Sequence, residues 1–162
     1  EALPPAAPTI VAGEFVETAL SAAADGGPWT LRAKLKKGDV DTFEFLNFPW
    51  EGGMDLSIRQ YLTVDLEIPE GQACDTAILL ILQDIHGVEY FASTGIRLNR
   101  PGAFHVCLPL AQFARAGWSK QPDQPLDFQK IQAIRIGWGG YLGEEGEEIA
   151  FTTHALRGAG GK

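Results

Sequence analysis

The sequence predicts an all-β protein, a two-sheet antiparallel β-sandwich of the jelly-roll kind, and three observations carry that prediction. Apolar residues recur with a period of two: in Tyr61 to Ile68, Leu62, Val64, Leu66 and Ile68 share one face while Thr63, Asp65 and Glu67 share the other. Nineteen glycines and ten prolines among 162 residues supply turn chemistry at a density that suits strands better than a helix bundle. Eight or so short strands at regular spacing within about 145 residues mean a sandwich or a barrel. The run Thr76 to Asp84 is apolar on both faces, as a central strand of two packed sheets would be, and this favours the sandwich.

Taken in order, residues 1–12 begin EALPPAAP, a Pro/Ala run that reads as an extended linker. The module itself is expected over residues 13–157. Glu17 to Ala24 is Ala-rich but leads into Asp25-Gly26-Gly27, so its helical signal is weak. Trp29 to Leu35 and Asp41 to Phe48 make a first hairpin around Lys37-Gly38-Asp39. Pro69, Glu70 and Gly71 close the Tyr61 strand. Asp84-Ile85-His86-Gly87 forms a tight turn from Thr76–Asp84 into a hairpin partner, Val88 to Thr94. Phe104 to Leu110 alternates with Phe104, Val106, Leu108 and Leu110 inward and His105 and Cys107 outward; Leu110 to Ala116 has room for one helical turn. Ile131 to Trp138 places Ile134, Ile136 and Trp138 on one parity, Ile149 to Leu156 closes the domain, and residues 158–162 (GAGGK) form a Gly-rich tail. A bead between two linkers suggests one module of a longer chain.

Composition removes several function classes. A chain of this length fits one domain and buries roughly 70% of its unfolded surface. The net charge of −8 lacks the basic patch that nucleic acid or an anionic membrane requires. No apolar stretch approaches the roughly 20 residues of a membrane helix. Cys74 and Cys107 allow one disulfide or two separate thiols, and with three scattered histidines they offer no zinc spacing. None of the four serines lies in a GxSxG elbow, and no phosphate-cradling glycine loop occurs. Asp84 and Glu89 flank one turn and could be imagined as a glycosidase pair, but acids at hairpin turns serve solubility first. Glu144, Glu145, Glu147 and Glu148 read as a solvated turn, with calcium binding as the minor reading.

The aromatic residues are more informative. Trp50 (PWEGG), Trp118 (AGWS) and Trp138 (WGGY, with Tyr141) each lie at a strand end or in a Gly-rich loop, where an indole is hard to bury. Flat exposed rings suit the apolar face of a sugar, and Arg115 and Arg135 stand in the same segments to bond its hydroxyls. The strands Tyr61–Ile68 and Ile78–Asp84 with the Gly87 turn and Tyr90, then Phe104-His-Val-Cys-Leu-Pro-Leu110 with Phe113, then Leu126-Asp127 through Ile131, Ile134 and Trp138, resemble the non-catalytic carbohydrate-binding modules of the galactose-binding-like superfamily. The resemblance covers roughly Gln60 to Leu156. It implies a jelly roll appended to a polysaccharide-degrading enzyme, secreted or at the cell surface, holding a glycan in a cleft on one sheet.

It also implies that Ile131–Trp138 lies in the cleft sheet with Trp138 facing sugar, and that the loop after Phe113 contributes Arg115 and Trp118, with Tyr90 as a further candidate. Trp50, Tyr141, Gln83 and Asp84 complete the expected set. The parity of Trp138 argues instead for the core, and a bulge at Gly137 would reconcile the two. Many relatives carry an Asp in the last strand as a calcium ligand; here His154 stands in that place, so no cofactor is expected and calcium is left doubtful. The expected partners are a polysaccharide and a catalytic domain of the same polypeptide. The other reading is an interaction sandwich that packs on a neighbouring domain without sugar, because a polar cleft should not be lined by Leu79 and Ile81.

Overall fold

The computed structural model describes residues 1–119 and 123–161, which form two antiparallel sheets packed face to face. In chain order the strands are β1 (Thr9–Ala12), β2 (Val16–Ala22), β3 (Trp29–Leu35), β4 (Val40–Met54), β5 (Tyr61–Ile68) and β6 (Ala77–Asp84). They continue with β7 (Glu89–Arg97), β8 (Gly102–Pro109), β9 (Ala114–Arg115), β10 (Ile131–Leu142), β11 (Glu148–Thr153) and β12 (Arg157–Ala159). The front sheet runs β1-β4-β10-β6-β7-β9. In the back sheet β5 carries β8 on one edge and β11 and β12 on the other, followed by β3 and β2. Among the described residues the one helical element is a 3₁₀ turn at Leu110–Gln112, where a single turn was expected.

The core follows from the period of two. Leu62, Val64, Leu66 and Ile68 of β5 point inward from the back sheet and meet Ile78, Leu80 and Leu82 of β6 and Ile134 and Ile136 of β10 from the front. Trp29 of β3 and Phe48 of β4 bridge the sheets edge to face, with ring centroids 5.1 Å apart. β6 is central, between β10 and β7, as its two apolar faces predict, and β7 pairs with it as the expected hairpin partner.

Three expectations change. Trp29–Leu35 and Asp41–Phe48 do not form a hairpin: β3 lies in the back sheet and β4 in the front, and Lys37-Gly38-Asp39 carries the chain from one to the other. The N-terminal segment is no free linker. β1 pairs with β4, the Glu1 amino group donates to the Gly158 carbonyl at 2.9 Å, and Leu3 and Ala6 pack against the core. The tail is likewise recruited in part, since Gly158 and Ala159 pair with Leu62 and Tyr61. A segment rich in proline can dock where its side chains find apolar cover and its carbonyls find donors.

Gly137 does not mark a bulge; the register shift of β10 lies between Ile131 and Ala133. Its reason is proximity, because a Cβ at Gly137 would stand 2.7 Å from the Phe45 Cα. Parity therefore holds through Trp138, which points inward.

Candidate functional site

The outward face of the front sheet forms a cleft of about 480 Å³. Its rows can be read from the register. Pro49, Ala133, Gln83 and Glu89 make one row across β4, β10, β6 and β7. Asn47, Arg135, Ile81 and Phe91 make the next, then Phe45, Gly137, Leu79 and Ser93, and finally Phe43 beside Gly139. The cleft is polar around Glu89 and Arg135 and apolar around Phe45, Leu79 and Phe43, with Asp41 beyond them. Phe45 and Ile81 are buried yet stand apart from the inter-sheet core, so the front sheet carries a second apolar layer on its outer side.

Glu89 is the hub of the polar end. Its Oε1 accepts the Trp118 indole N–H at 2.6 Å, and its Oε2 accepts Gln83 Nε2 at 2.9 Å and Arg135 at 3.3 Å. Arg135 Nε donates to Asn47 Oδ1, and Gln132 Nε2 donates to Gln83 Oε1. Backbone bonds bring the Trp118 loop to this hub: Ala116 N–H donates to the Glu89 carbonyl, and Glu89 N–H donates to Ser119 Oγ. The Trp118 ring, 51% exposed, leans on Phe91 at a centroid distance of 5.3 Å. An exposed indole fixed by a carboxylate is a pre-oriented platform for a flat ring.

Of the residues named from the sequence, the structure brings Trp118, Arg135 and Gln83 together around Glu89. Tyr141 is 76% exposed and pairs with Asp41, which lines the cleft, so it stands at the rim. The other expected residues lie elsewhere. Trp138 is 0% exposed and points into the core opposite Glu44, so it has no surface to offer a ligand. Trp50 is buried and its Nε1 donates to the Pro4 carbonyl, which ties down the N-terminal segment. Asp84 is buried, and its carboxylate accepts the N–H groups of His86, Val88 and Asp127. It closes the turn rather than meeting a sugar, and the imagined acid pair with Glu89 dissolves. Tyr90 pairs with Leu82, a core residue, and packs edge-on against Phe128. Arg115 is paired with Tyr90, so it shares that side of the sheet edge and not the cleft side.

Sequence reasoning missed Asn47, Phe43 and Phe45, and treated Glu89 only as half of an acid pair. The signal for the phenylalanines was present: Phe43, Phe45 and Asn47 alternate against inward Leu46 and Phe48. Glu44, on the inward parity, is fully buried with neither carboxylate oxygen hydrogen-bonded among the described residues, and the Trp138 Nε1 beside it is also unpartnered. Desolvation pushes the Glu44 carboxyl up from 4.5 to about 8, so it is a neutral acid at pH 7. Cys74 is buried and Cys107 exposed, and both are free thiols. Among the described residues no three His, Cys, Asp or Glu side chains converge on a common ion position.

No protein-family model and no curated protein matches this sequence. Several solved structures share its fold. The family 11 carbohydrate-binding module of Clostridium thermocellum, in complex with a β-1,3-1,4-mixed-linked tetrasaccharide, has a TM-score of 0.67 at 12% identity, over 96% of this chain and 89% of that one. The family 30 carbohydrate-binding module of the cellulosomal cellulase Cel9D-Cel44B, also of Clostridium thermocellum, gives 0.59 at 12% identity, over 96% and 93%. An exo-β-agarase gives 0.53 at 12% identity, over 99% of this chain and 24% of that one. The chain thus has the jelly-roll sandwich fold of these modules.

Proposed function

We propose that the protein is a non-catalytic carbohydrate-binding module, holding a polysaccharide in the front-sheet cleft outside the cell. The observation that carries this reading is the half-exposed Trp118 indole, locked to Glu89 within a network of Arg135, Gln83 and Asn47. Rings stack on the indole while the polar end fixes their orientation, and no bond is made or broken. The module needs no cofactor for this. Its partner is a catalytic domain of the same polypeptide, and the benefit is effective concentration at the glycan surface through the tether. In support, the fold also occurs as about a quarter of the exo-β-agarase chain.

A glycan array with affinity electrophoresis of the 162-residue chain tests the proposal. Retention by one polymer class, lost in Trp118→Ala without loss of fold, is the expected result. Silence across a broad panel from a folded sample overturns it. One observation favours a second reading, an interaction sandwich docked on a neighbouring domain: Leu79 and Ile81 do line the cleft, beside Phe43 and Phe45. In that case the cleft binds no glycan, and the linked domains resist proteolysis between them.

A further inference from the structure

We infer that residues 1–12 build one wall of the glycan cleft, so that glycan binding and the docking of this segment strengthen each other; this rests on the carbohydrate-binding reading above. The cleft has two sides. On one stands Trp118, whose loop is anchored on Glu89 of β7. On the other, β1 pairs with β4 at the opposite edge of the front sheet, and Val11, in register with Phe45, lines the cleft beside it. Four strand spacings separate β1 from β7, roughly 19 Å across the cleft.

The Val11 wall is only as firm as its anchorage. β1 is four residues long and pairs on one side, with β4. Ahead of it the segment is held by directed bonds: Trp50 Nε1 donates to the Pro4 carbonyl at 2.9 Å, Gly158 N–H donates to the Glu1 carbonyl at 2.8 Å, and Ala2 bridges to Arg157. Leu3, Ala6, Ile10 and Ala12 add apolar contact with the core. Packing there is incomplete. Leu3, Pro4 and Pro5 line two hollows, one of about 240 Å³ shared with Trp29 and Phe48, another of about 830 Å³ shared with Met54 and Ile58. A short edge strand held this way opens at lower free energy than the core strands behind it. Phe43 and Phe45 stand on β4, which keeps its pairing with β10 when β1 lifts, so opening removes the wall and spares the floor. A glycan that touches Val11 favours the docked form, and by linkage docking favours the glycan by the same factor. Trp50 is buried on the core side of β4, so its effect on a glycan runs through the segment it holds.

Hydrogen exchange of the 162-residue chain, read by mass spectrometry, tests the coupling, with soluble mixed-linkage β-glucan, cello-oligosaccharides and agarose oligosaccharides as probes. A probe that binds should slow exchange in residues 9–12 three-fold or more and leave β8, at an edge of the back sheet, unchanged. Trp50→Phe keeps a ring but loses the bond to Pro4. It should speed exchange in residues 1–12 and lower affinity about three-fold, while bound glycan still shields the Trp118 fluorescence. Val11→Ser should lower affinity by a similar factor and reduce the protection that glycan gives to β1. Where Trp50→Phe folds poorly, the unmodified chain and Val11→Ser give the answer. A probe that binds without slowing exchange in residues 9–12 would overturn the inference and leave the carbohydrate-binding reading standing. A folded chain that binds none of the probes would overturn both.

Discussion

The two sheets are built from the same alternating strands, yet their outer faces differ in kind. On the back sheet the outward residues are polar: Thr63, Asp65 and Glu67 of β5, and His105 with the exposed Cys107 of β8. They pair with one another at the surface, His105 Nδ1 with Asp65 Oδ1 at 2.6 Å and His154 Nε2 with Glu67 Oε2 at 2.9 Å. On the front sheet the outward residues include Phe43, Phe45, Leu79, Ile81 and Phe91 beside the Glu89, Arg135, Gln83 and Asn47 network. A solvated face has no use for such apolar residues, so a strand that is apolar on both sides, as β6 is, marks the front face as the candidate surface for a ligand or partner. The depression on the back sheet, near 400 Å³ and lined by Asp65, His105, His154 and Arg157, lacks any aromatic platform.

The sharpest test of this contrast compares two tryptophans of the front sheet region. Trp138→Ala removes a fully buried ring and should cost about 4 kcal/mol in urea denaturation. Glu44→Gln comes next. Native Glu44 keeps its proton to about 8, whereas the unfolded chain releases it near 4.5. The native state therefore binds the extra proton between those values, and stability falls as pH rises through that window, by roughly 1.4 kcal/mol per pH unit. Denaturation midpoints of Glu44→Gln followed from pH 5 to pH 8 should lack this slope. Trp118→Ala should lower glycan affinity ten-fold or more yet change stability by about 1 kcal/mol or less, because its ring is half exposed and loses one hydrogen bond. The smallest effect belongs to the back face. Asp65→Asn weakens an exposed pair worth about 0.5 kcal/mol or less and should leave glycan binding unchanged. A loss of binding there would move the site to the other sheet.

The sandwich was legible because β5, β8 and β10 advertise their inward faces by strict alternation, and the Asp84 turn by its own residues. Sheet membership was not, since whether β3 and β4 pair or part depends on contacts far apart in sequence. The site was half legible. Trp118, Arg135 and Gln83 could be named, but a glycine-rich neighbourhood says nothing about which side of a strand a ring takes. At Trp138 the alternation gave the inward answer and the family resemblance the outward one, and alternation won. Trp50 and Asp84 were drawn into structural work by partners that sequence does not place, the Pro4 carbonyl and the backbone of Val88 and Asp127.

The most direct measurement is fluorescence quenching by acrylamide with and without a bound glycan. Of the four tryptophans, Trp29, Trp50 and Trp138 are buried and Trp118 is exposed, so the quenchable signal reports on one ring. Saturating glycan should shield that signal, and Trp118→Phe should remove it. A glycan that binds while the Trp118 signal stays fully quenchable would contradict the front-sheet cleft as the binding site.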